Sequence, residues 1–241
     1  MRNALLIARR EIASYLGSPI GYVVAAVALL IEGLWFNFFG LTNGKLLSAG
    51  VLGVFFEGAS GTTIILAALL SMRLLAGERE SGTQVLLNTA PVRESEIVLG
   101  KFLAGLFFLT MIAALTVYMP LLIFVNGKVS VGHILVGYLG LVLLAAASLA
   151  VGLFASALAP NQVVAVLVAG ALLGVLFAVF FIAQKTEPPI NTFLSGLSIF
   201  HVRARSFMMG TLILENVVYY VGLAYLFLFA TTKTLEARRW R

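Results

Sequence analysis

"LLAGERESGTQVLLNTAPVRESEIVLGK", Leu74 to Lys101, gathers Glu78, Arg79, Glu80, Arg93, Glu94, Glu96 and Lys101 in one place, in a chain that is 61% hydrophobic. Apolar runs flank it on both sides, and neither can be left in water. A soluble domain of this size carries about a quarter of its residues as charges, whereas here the share is 11%, with a mean hydropathy of +1.06. The chain is therefore an integral membrane protein, and the charged stretch is a connection held outside the bilayer.

Working outward, six apolar runs are near or above the ~20 residues that cross the hydrocarbon as helix. They are Ile20 to Phe39, Leu52 to Met72, Ile97 to Val125, Val131 to Leu158, Val163 to Ala183 and Val217 to Thr231. Backbone polar groups in lipid must be satisfied within the segment, so runs of this length are helices; a barrel would show alternating segments of ~10 residues. The expected fold class is all-α, a polytopic bundle of six transmembrane helices.

Orientation follows from the basic residues. Arg2, Arg9, Arg10, Arg73, Arg79, Arg93, Lys101, Lys233, Arg238, Arg239 and Arg241 fall on one side of a six-span topology, and Lys45, Lys128, Lys185, Arg203 and Arg205 on the other. The richer side is expected to face the cytoplasm, with both termini inside. The net charge of +6 thus orients the protein in its membrane and requires no nucleic-acid partner. Arg2, Arg9 and Arg10 straddle only a short apolar patch with no small-residue cleavage site after it, so a cleavable signal is not expected. The absence of cysteine excludes disulfides and thiolate metal sites without fixing the compartment.

Residues 1–18 read as an amphipathic interfacial helix, with Leu5, Ala8, Ile12 and Leu16 on its apolar face, before Pro19 turns the chain into the membrane domain of residues 19–241. The segment 184–216 contains Glu187-Pro188-Pro189 and then "FLSGLSIFHVRARSFMMGTLILEN", too apolar for a solvated loop yet broken by Arg203 and Arg205. It is expected to form one or two short helices in the outer interface. A seventh span is the competing reading, but it would place the basic C-terminus outside. The fourth and fifth spans are joined only by Ala159 to Gln162, a tight antiparallel turn.

Within the opening stretch, Gly82 and Thr83 can end one helix and cap the next, Val85 to Leu87 make a short helix, and Pro91 ends it. A helix restarting near Arg93 runs into the third span and carries Lys101 to a depth from which it can snorkel to water. The outcome is a short transverse helix with an apolar patch between charge clusters, suited to a groove on a partner protein. A solvated inter-span loop, its charges anchoring helix ends, is the alternative.

"MRLLAGERESGTQVLLNTAPVRESEIVLGKFLAG", Met72 to Gly105, resembles the signature of permease subunits of ABC-2 type ATP-binding-cassette transporters, in particular the gliding-motility-like and NosY-like branch. "REIASYLGSPIGYVV" (Arg10 to Val24), "FASALAPNQVVA" (Phe154 to Ala165) and "FATTKTLEARRW" (Phe229 to Trp240) are similar to further parts of the same branch. Together these cover most of the chain in order; Gly77 departs from it, since many members carry Glu there. The resemblance implies a type V exporter-like transmembrane domain that pairs with a second permease copy and two copies of a cytoplasmic ATPase. It also implies a coupling segment at 77–96, with Glu78, Arg79, Glu80, Gly82, Thr83, Leu86, Leu87, Pro91 and Lys101 engaged in coupling. Asn161 and Gln162 would make a minor second contact, and residues 1–18 would be a connecting helix. The membrane implied is the bacterial or archaeal cytoplasmic membrane.

The sequence limits the chemistry of this chain. A phosphate loop, G-x-x-x-x-G-K-[ST], is missing: the Gly-Lys pairs at Gly44, Gly100 and Gly127 are followed by Leu, Phe and Val. ATP and magnesium are thus expected on the partner subunit and no cofactor on this chain. His133 and His201 stand far apart, the chain has no Asp, and neither a metal site of three or four ligands nor a Ser-His-Asp set is expected. A scaffold or passive channel with no energy partner is the other class these features allow. Glu32 and Glu57 lie inside spans, where carboxylates are costly. They are read either as lining a substrate path or as carboxylates near helix ends with partial access to water, with Lys45, Arg203 or Arg205 as possible ion-pair partners. Gly170-x-x-x-Gly174 permits close helix approach, within the chain or between copies; packing within the chain is the favoured reading.

Overall fold

A computed structural model describes residues 2–41, 47–82 and 92–239. The described residues form helices joined by short connections, with no strand among them. The helices are α1 (Arg2–Gly17), α2 (Pro19–Trp35, prolonged by a π-helical segment Phe36–Leu41), α3 (Ser48–Leu74), α4 (Ala76–Glu80), α5 (Glu94–Leu115), α6 (Tyr118–Asn126), α7 (Val131–Leu158), α8 (Gln162–Ala183), α9 (Ile190–Leu197), α10 (Arg203–Met208) and α11 (Leu214–Arg239). Six runs among the described residues are long and apolar enough to cross a membrane: Pro19–Leu41, Ser48–Glu80, Glu94–Val125, Val131–Leu158, Gln162–Ala183 and Leu214–Arg238.

The spans divide into a centre and a periphery. In α3 and α7 about three-fifths of the most apolar window is buried (61%), against 17% in α8 and 22% in α2 and α11, so α3 and α7 form the axis around which the others stand. Small residues make that axis possible. Ala145, Ala147, Ser148, Ala150 and Gly152 of α7 are all buried, and a Cβ on Gly152 would run into the Ser71 side chain of α3. Large aliphatic side chains on both faces would hold the two backbones apart.

The third crossing is not one helix. The Ile97 to Val125 run breaks at Thr116 and Val117, between α5 and α6. Pro120 has no N–H to offer the Thr116 carbonyl; that carbonyl accepts from Met119 N instead (3.0 Å), and the Thr116 hydroxyl turns back onto Ala113 O (2.7 Å). The two halves belong to different cores. Val98, Phe102, Phe108 and Ile112 pack with α1, α3 and α7, whereas Met119 and Ile123 pack with Phe55, Phe56, Ala204 and Met208.

At one end, hereafter the charged end, α1 lies across α5. Its buried face is Ala4, Ala8 and Tyr15, while Leu5 and Leu6 are 63% and 59% exposed. This corrects the expected apolar face: Ala8 and Ile12 pack inward, but Leu5 and Leu16 do not. The reason is backbone proximity. A Cβ on Gly100 would stand 2.7 Å from the Ala4 carbonyl and 2.8 Å from Ile7 Cβ, so only small side chains fit between α1 and α5. Leu5 and Leu6 are left on the open side, where an interfacial helix meets acyl chains. Ser18 then caps α2, its Oγ accepting from Ile20 N at 3.3 Å, with Pro19 in the first turn.

At the opposite, capped end, residues 184–216 fold as α9 and α10, eight and six residues long, too short to cross a bilayer. Arg203 clasps them. Its guanidinium donates to Gly196 O (3.1 and 2.9 Å) and Asn216 Oδ1 (3.2 Å), lies 3.4 Å from Glu215, and sits 4.0 Å from the Tyr219 ring centre. The Tyr219 and Tyr220 hydroxyls donate to Leu197 O and Ile199 O, both at 2.6 Å.

Gly100→Ala is expected to lift α1 from α5 and cost about 1–3 kcal/mol. Gly53→Ala, where an added Cβ meets nothing within 4 Å, is expected to leave stability unchanged or raise it slightly. Thermal unfolding of the two detergent-solubilised variants, followed by circular dichroism, checks this.

Candidate functional site at the charged end

The local sequence of α4 explains how the site is held. α3 passes into α4 with a single interruption at Leu75, where the Ser156 hydroxyl of α7 accepts from both Leu75 N (3.3 Å) and Ala76 N (2.9 Å). A side chain thus takes the two amides that a continuous helix would have used. α4 ends at Glu80 because Gly82 takes a φ of +72°, the left-handed conformation that favours glycine. Thr83, Leu86, Leu87 and Pro91, and the short helix expected at Val85 to Leu87, lie outside the described residues.

Glu78, Arg79 and Glu80 point to three different places. Glu78 Oε1 lies 2.8 Å from Lys101 Nζ of α5 and 3.5 Å from Arg10 of α1. Arg79 donates to the carbonyls of Ala157 (3.3 Å) and Ala159, at the end of α7. Glu80 Oε2 accepts from Gln162 N at 3.3 Å, an amide of the kind a helix N-terminus leaves unpaired. Asn161 caps the same helix, its Oδ1 accepting from Val164 N at 2.9 Å. Arg238, near the end of α11, donates to Leu158 O at 2.8 Å. The α4 segment and the Ala159–Gln162 turn are therefore one surface, with Ala76, Ala159 and Ala165 packed beneath it.

Lys101 departs from expectation. Instead of snorkelling to water, its side chain is 1% exposed and lies 3.0 Å from Glu11 and 2.8 Å from Glu78, whose side chains are 16% and 14% exposed. The covering helix α1 closes the route to solvent, and two carboxylates replace the water. With Arg10, 3.5 Å from both Glu11 and Glu78, the group is a tetrad of two cations and two anions that joins α1, α4 and α5. Asn3 adds a second tie from α1 to α5, donating to Glu96 Oε2 at 3.0 Å. Burial pushes the hydroxyl of Tyr15 well above its ordinary range, with Glu11 acting the same way; its ring, 5.3 Å from Phe108, is a neutral wall beside the tetrad.

Sequence reasoning missed Arg10, Glu11, Ser156 and Arg238. Glu11 carried a signal: it is the only acidic residue in the first thirty, set directly after two arginines.

The two intramembrane carboxylates are not brought together. Glu32 is 5% exposed, its Oε1 accepting from the Thr62 hydroxyl at 2.6 Å and its Oε2 unpartnered among the described residues. The reading of partial water access is therefore overturned for Glu32, because α3 packs over it. Glu57 is exposed on α3, near enough to act electrostatically on His201. Neither carboxylate makes an ion pair with Arg203 or Arg205, and Lys45 lies outside the described residues. His201 stacks on Phe180 with ring centres 4.5 Å apart; burial, then Arg205, holds it below its ordinary range. His133 lies elsewhere, against Met208 O at 2.7 Å. Among the described residues no three His or Glu side chains gather to hold a metal ion.

The favoured reading of Gly170 and Gly174 also fails. Both sit on the outer face of α8, where a Cβ would meet nothing within 4 Å, so among the described residues they serve no packing within the chain.

Among the described residues the chain thus combines six apolar crossings, a charged end whose ties reach α1, α4, α5, α7, α8 and α11, and a capped opposite end. A family model described as "ABC-2 family transporter protein" matches residues 11–235. The chain belongs to the ABC-2 transporter family. It is thus a multi-pass membrane protein and the permease component of an ABC transporter. Permeases of the ABC-2 family are generally non-catalytic and typically work with a cytoplasmic ATPase. A search of curated proteins returns no match.

Lys101→Met is expected to leave Glu11 and Glu78 facing each other across an apolar side chain and to destabilise the protein by roughly 3–5 kcal/mol. Adding Glu11→Gln and Glu78→Gln to that variant is expected to recover part of the loss. Melting curves of the single and triple variants in detergent test the pairing.

Proposed function

We propose that this ABC-2 permease turns its charged end to the cytoplasm and, as a dimer, couples ATP hydrolysis by two copies of an ATPase subunit to export or movement of a substrate. The single observation that carries the reading is the set of ties on α4. Glu78 holds α1 and α5, Arg79 and Ser156 hold α7, and Glu80 holds α8. A displacement applied at residues 77–82 therefore acts on several crossings at once. ATP and magnesium belong to the partner. The resemblance of Met72 to Gly105 and Phe154 to Ala165 supports a reading within the gliding-motility-like and NosY-like branch, with α1 as the connecting helix. Arg2, Arg9, Arg10, Arg73, Arg79, Arg93 and Arg238 at the charged end support its cytoplasmic placement, and so that of both termini, in a bacterial or archaeal cytoplasmic membrane. Glu32, buried and half-satisfied beside Thr62, is the better candidate of the two carboxylates for a role on the substrate path.

The chain has no native cysteine, so Ser81→Cys creates a unique thiol on the proposed docking face. It is expected to react with an impermeant maleimide only after the membrane is opened; labelling in intact cells would reverse the orientation. Leu86→Asp is expected to abolish co-purification with the ATPase while leaving the melting temperature unchanged. Arg79→Glu is expected to leave the complex assembled but to lower substrate-stimulated ATP hydrolysis. Unaltered assembly and hydrolysis in both variants would point instead to a scaffold or passive channel.

The open stripe of Gly170 and Gly174, flanked by exposed Val163, Leu167 and Val175, is the proposed seam for the second copy, since small residues let backbones approach. Gly170→Leu with Gly174→Leu is expected to convert a dimer to a monomer in size-exclusion chromatography with light scattering, without lowering the melting temperature of the monomer.

A further inference from the structure

Between α1, α2, α3 and α5 lies a cavity of about 890 Å³. Its walls change character with depth. The mouth, level with the tetrad, is lined by Arg10, Glu11, Ser14, Arg73, Glu78 and Ser81; the depth is lined by Leu66, Leu69, Leu70, Phe108, Leu109 and Ile112. From Lys101, beside the mouth, to Ile112 is eleven residues of α5, about 16 Å of helix. The cavity therefore runs from the membrane surface well into the hydrocarbon. Ile20 and Leu69 also line it and are 51% and 41% exposed, which leaves an apolar flank toward the surrounding membrane.

The charges at the mouth do not cancel. Lys101 and Arg10 answer the two carboxylates Glu11 and Glu78. Arg73 is exposed, makes no hydrogen bond or ion pair among the described residues, and lies close enough to act on the Tyr15 hydroxyl at the cavity wall. Among the described residues it is a cation of the rim with no carboxylate partner, and the hydroxyls of Ser14 and Ser81 line the same mouth. A polar, net positive opening at the interface above an apolar trench parallel to the helices has the shape and charge of an anionic phospholipid.

We propose that this cavity binds an anionic phospholipid drawn from the leaflet on which α1 lies, its phosphate at Arg73 and its acyl chain along Leu66, Leu69 and Ile112. The site requires only that the chain spans a membrane and is independent of any ATPase partner. Its occupant wedges between α1–α2 and α3–α5 beside Glu11 and Glu78, so the composition of that leaflet bears on the tetrad's packing.

The test uses the purified full-length chain without ATPase, exchanged into micelles containing equal phosphatidylglycerol and phosphatidylcholine and read by native mass spectrometry. The wild-type chain is expected to retain phosphatidylglycerol over phosphatidylcholine by about fivefold, the weight of one basic side chain at an anionic lipid surface. Arg73→Gln, an exposed change that does not threaten folding, is expected to remove that preference. Leu69→Trp, which fills the trench, is expected to remove both adducts at an unchanged melting temperature. Equal retention of the two lipids by the wild type, or a preference that persists in Arg73→Gln, overturns the proposal. So does disulfide formation by Leu69→Cys between two copies with loss of lipid, which would assign the cavity to a protein interface.

Discussion

The charged end depends on one buried ammonium group. Lys101 sits on a transmembrane helix at a depth where an unpaired charge is costly, and it is shielded from water by α1. The two carboxylates that make this tolerable come from helices on either side of the membrane domain's first half, Glu11 before the first crossing and Glu78 after the second. The requirement to neutralise Lys101 thereby fixes where α1 lies and how α4 leaves the bilayer. Removing the water that would otherwise solvate these groups raises the penalty for pulling any one of them away. The tetrad therefore behaves as a positional lock on three helices, more than as a source of net stability.

A second set of contacts extends the same rigidity sideways. Arg79 and Glu80 use groups that helix ends leave open, the last carbonyls of α7 and the first amide of α8, and so they stabilise two termini while joining them to α4, and Ser156 of α7 accepts from the Leu75 and Ala76 amides where α3 passes into α4. The capped end reaches the same result with other means: Arg203 gathers carbonyl, amide, carboxylate and aromatic ring around a single guanidinium. The bundle is thus bounded at both ends by polar knots, and its middle is closed by small residues of α3 and α7.

Length and hydropathy were enough to read six crossings and the all-helical class, because both depend on the solvent and hardly on partners. Contacts between distant residues were not readable in the same way. Lys101 and Glu11 are ninety positions apart, and nothing in either neighbourhood distinguishes a lysine that snorkels from one that is clamped. The apolar face of α1 was misread because a leucine is more hydrophobic than an alanine, whereas the approach to Gly100 selects for smallness. Gly170 and Gly174 present the same ambiguity: small-residue spacing signals close approach but does not say to which neighbour. Pro120 could have been used to place the break in the third crossing, since a missing amide and a displaced carbonyl are local effects.

That break has a mechanical meaning. Because α5 is rooted among α1, α3 and α7 while α6 is moored to the cap, the third crossing is an articulated rod with a joint at Thr116 and Val117. Lys101 ties α5 to α1 and α4, whereas Met119 and Ile123 seat α6 among Phe55, Ala204 and Met208, so a bend at that joint would shift one end of the crossing without carrying the other along.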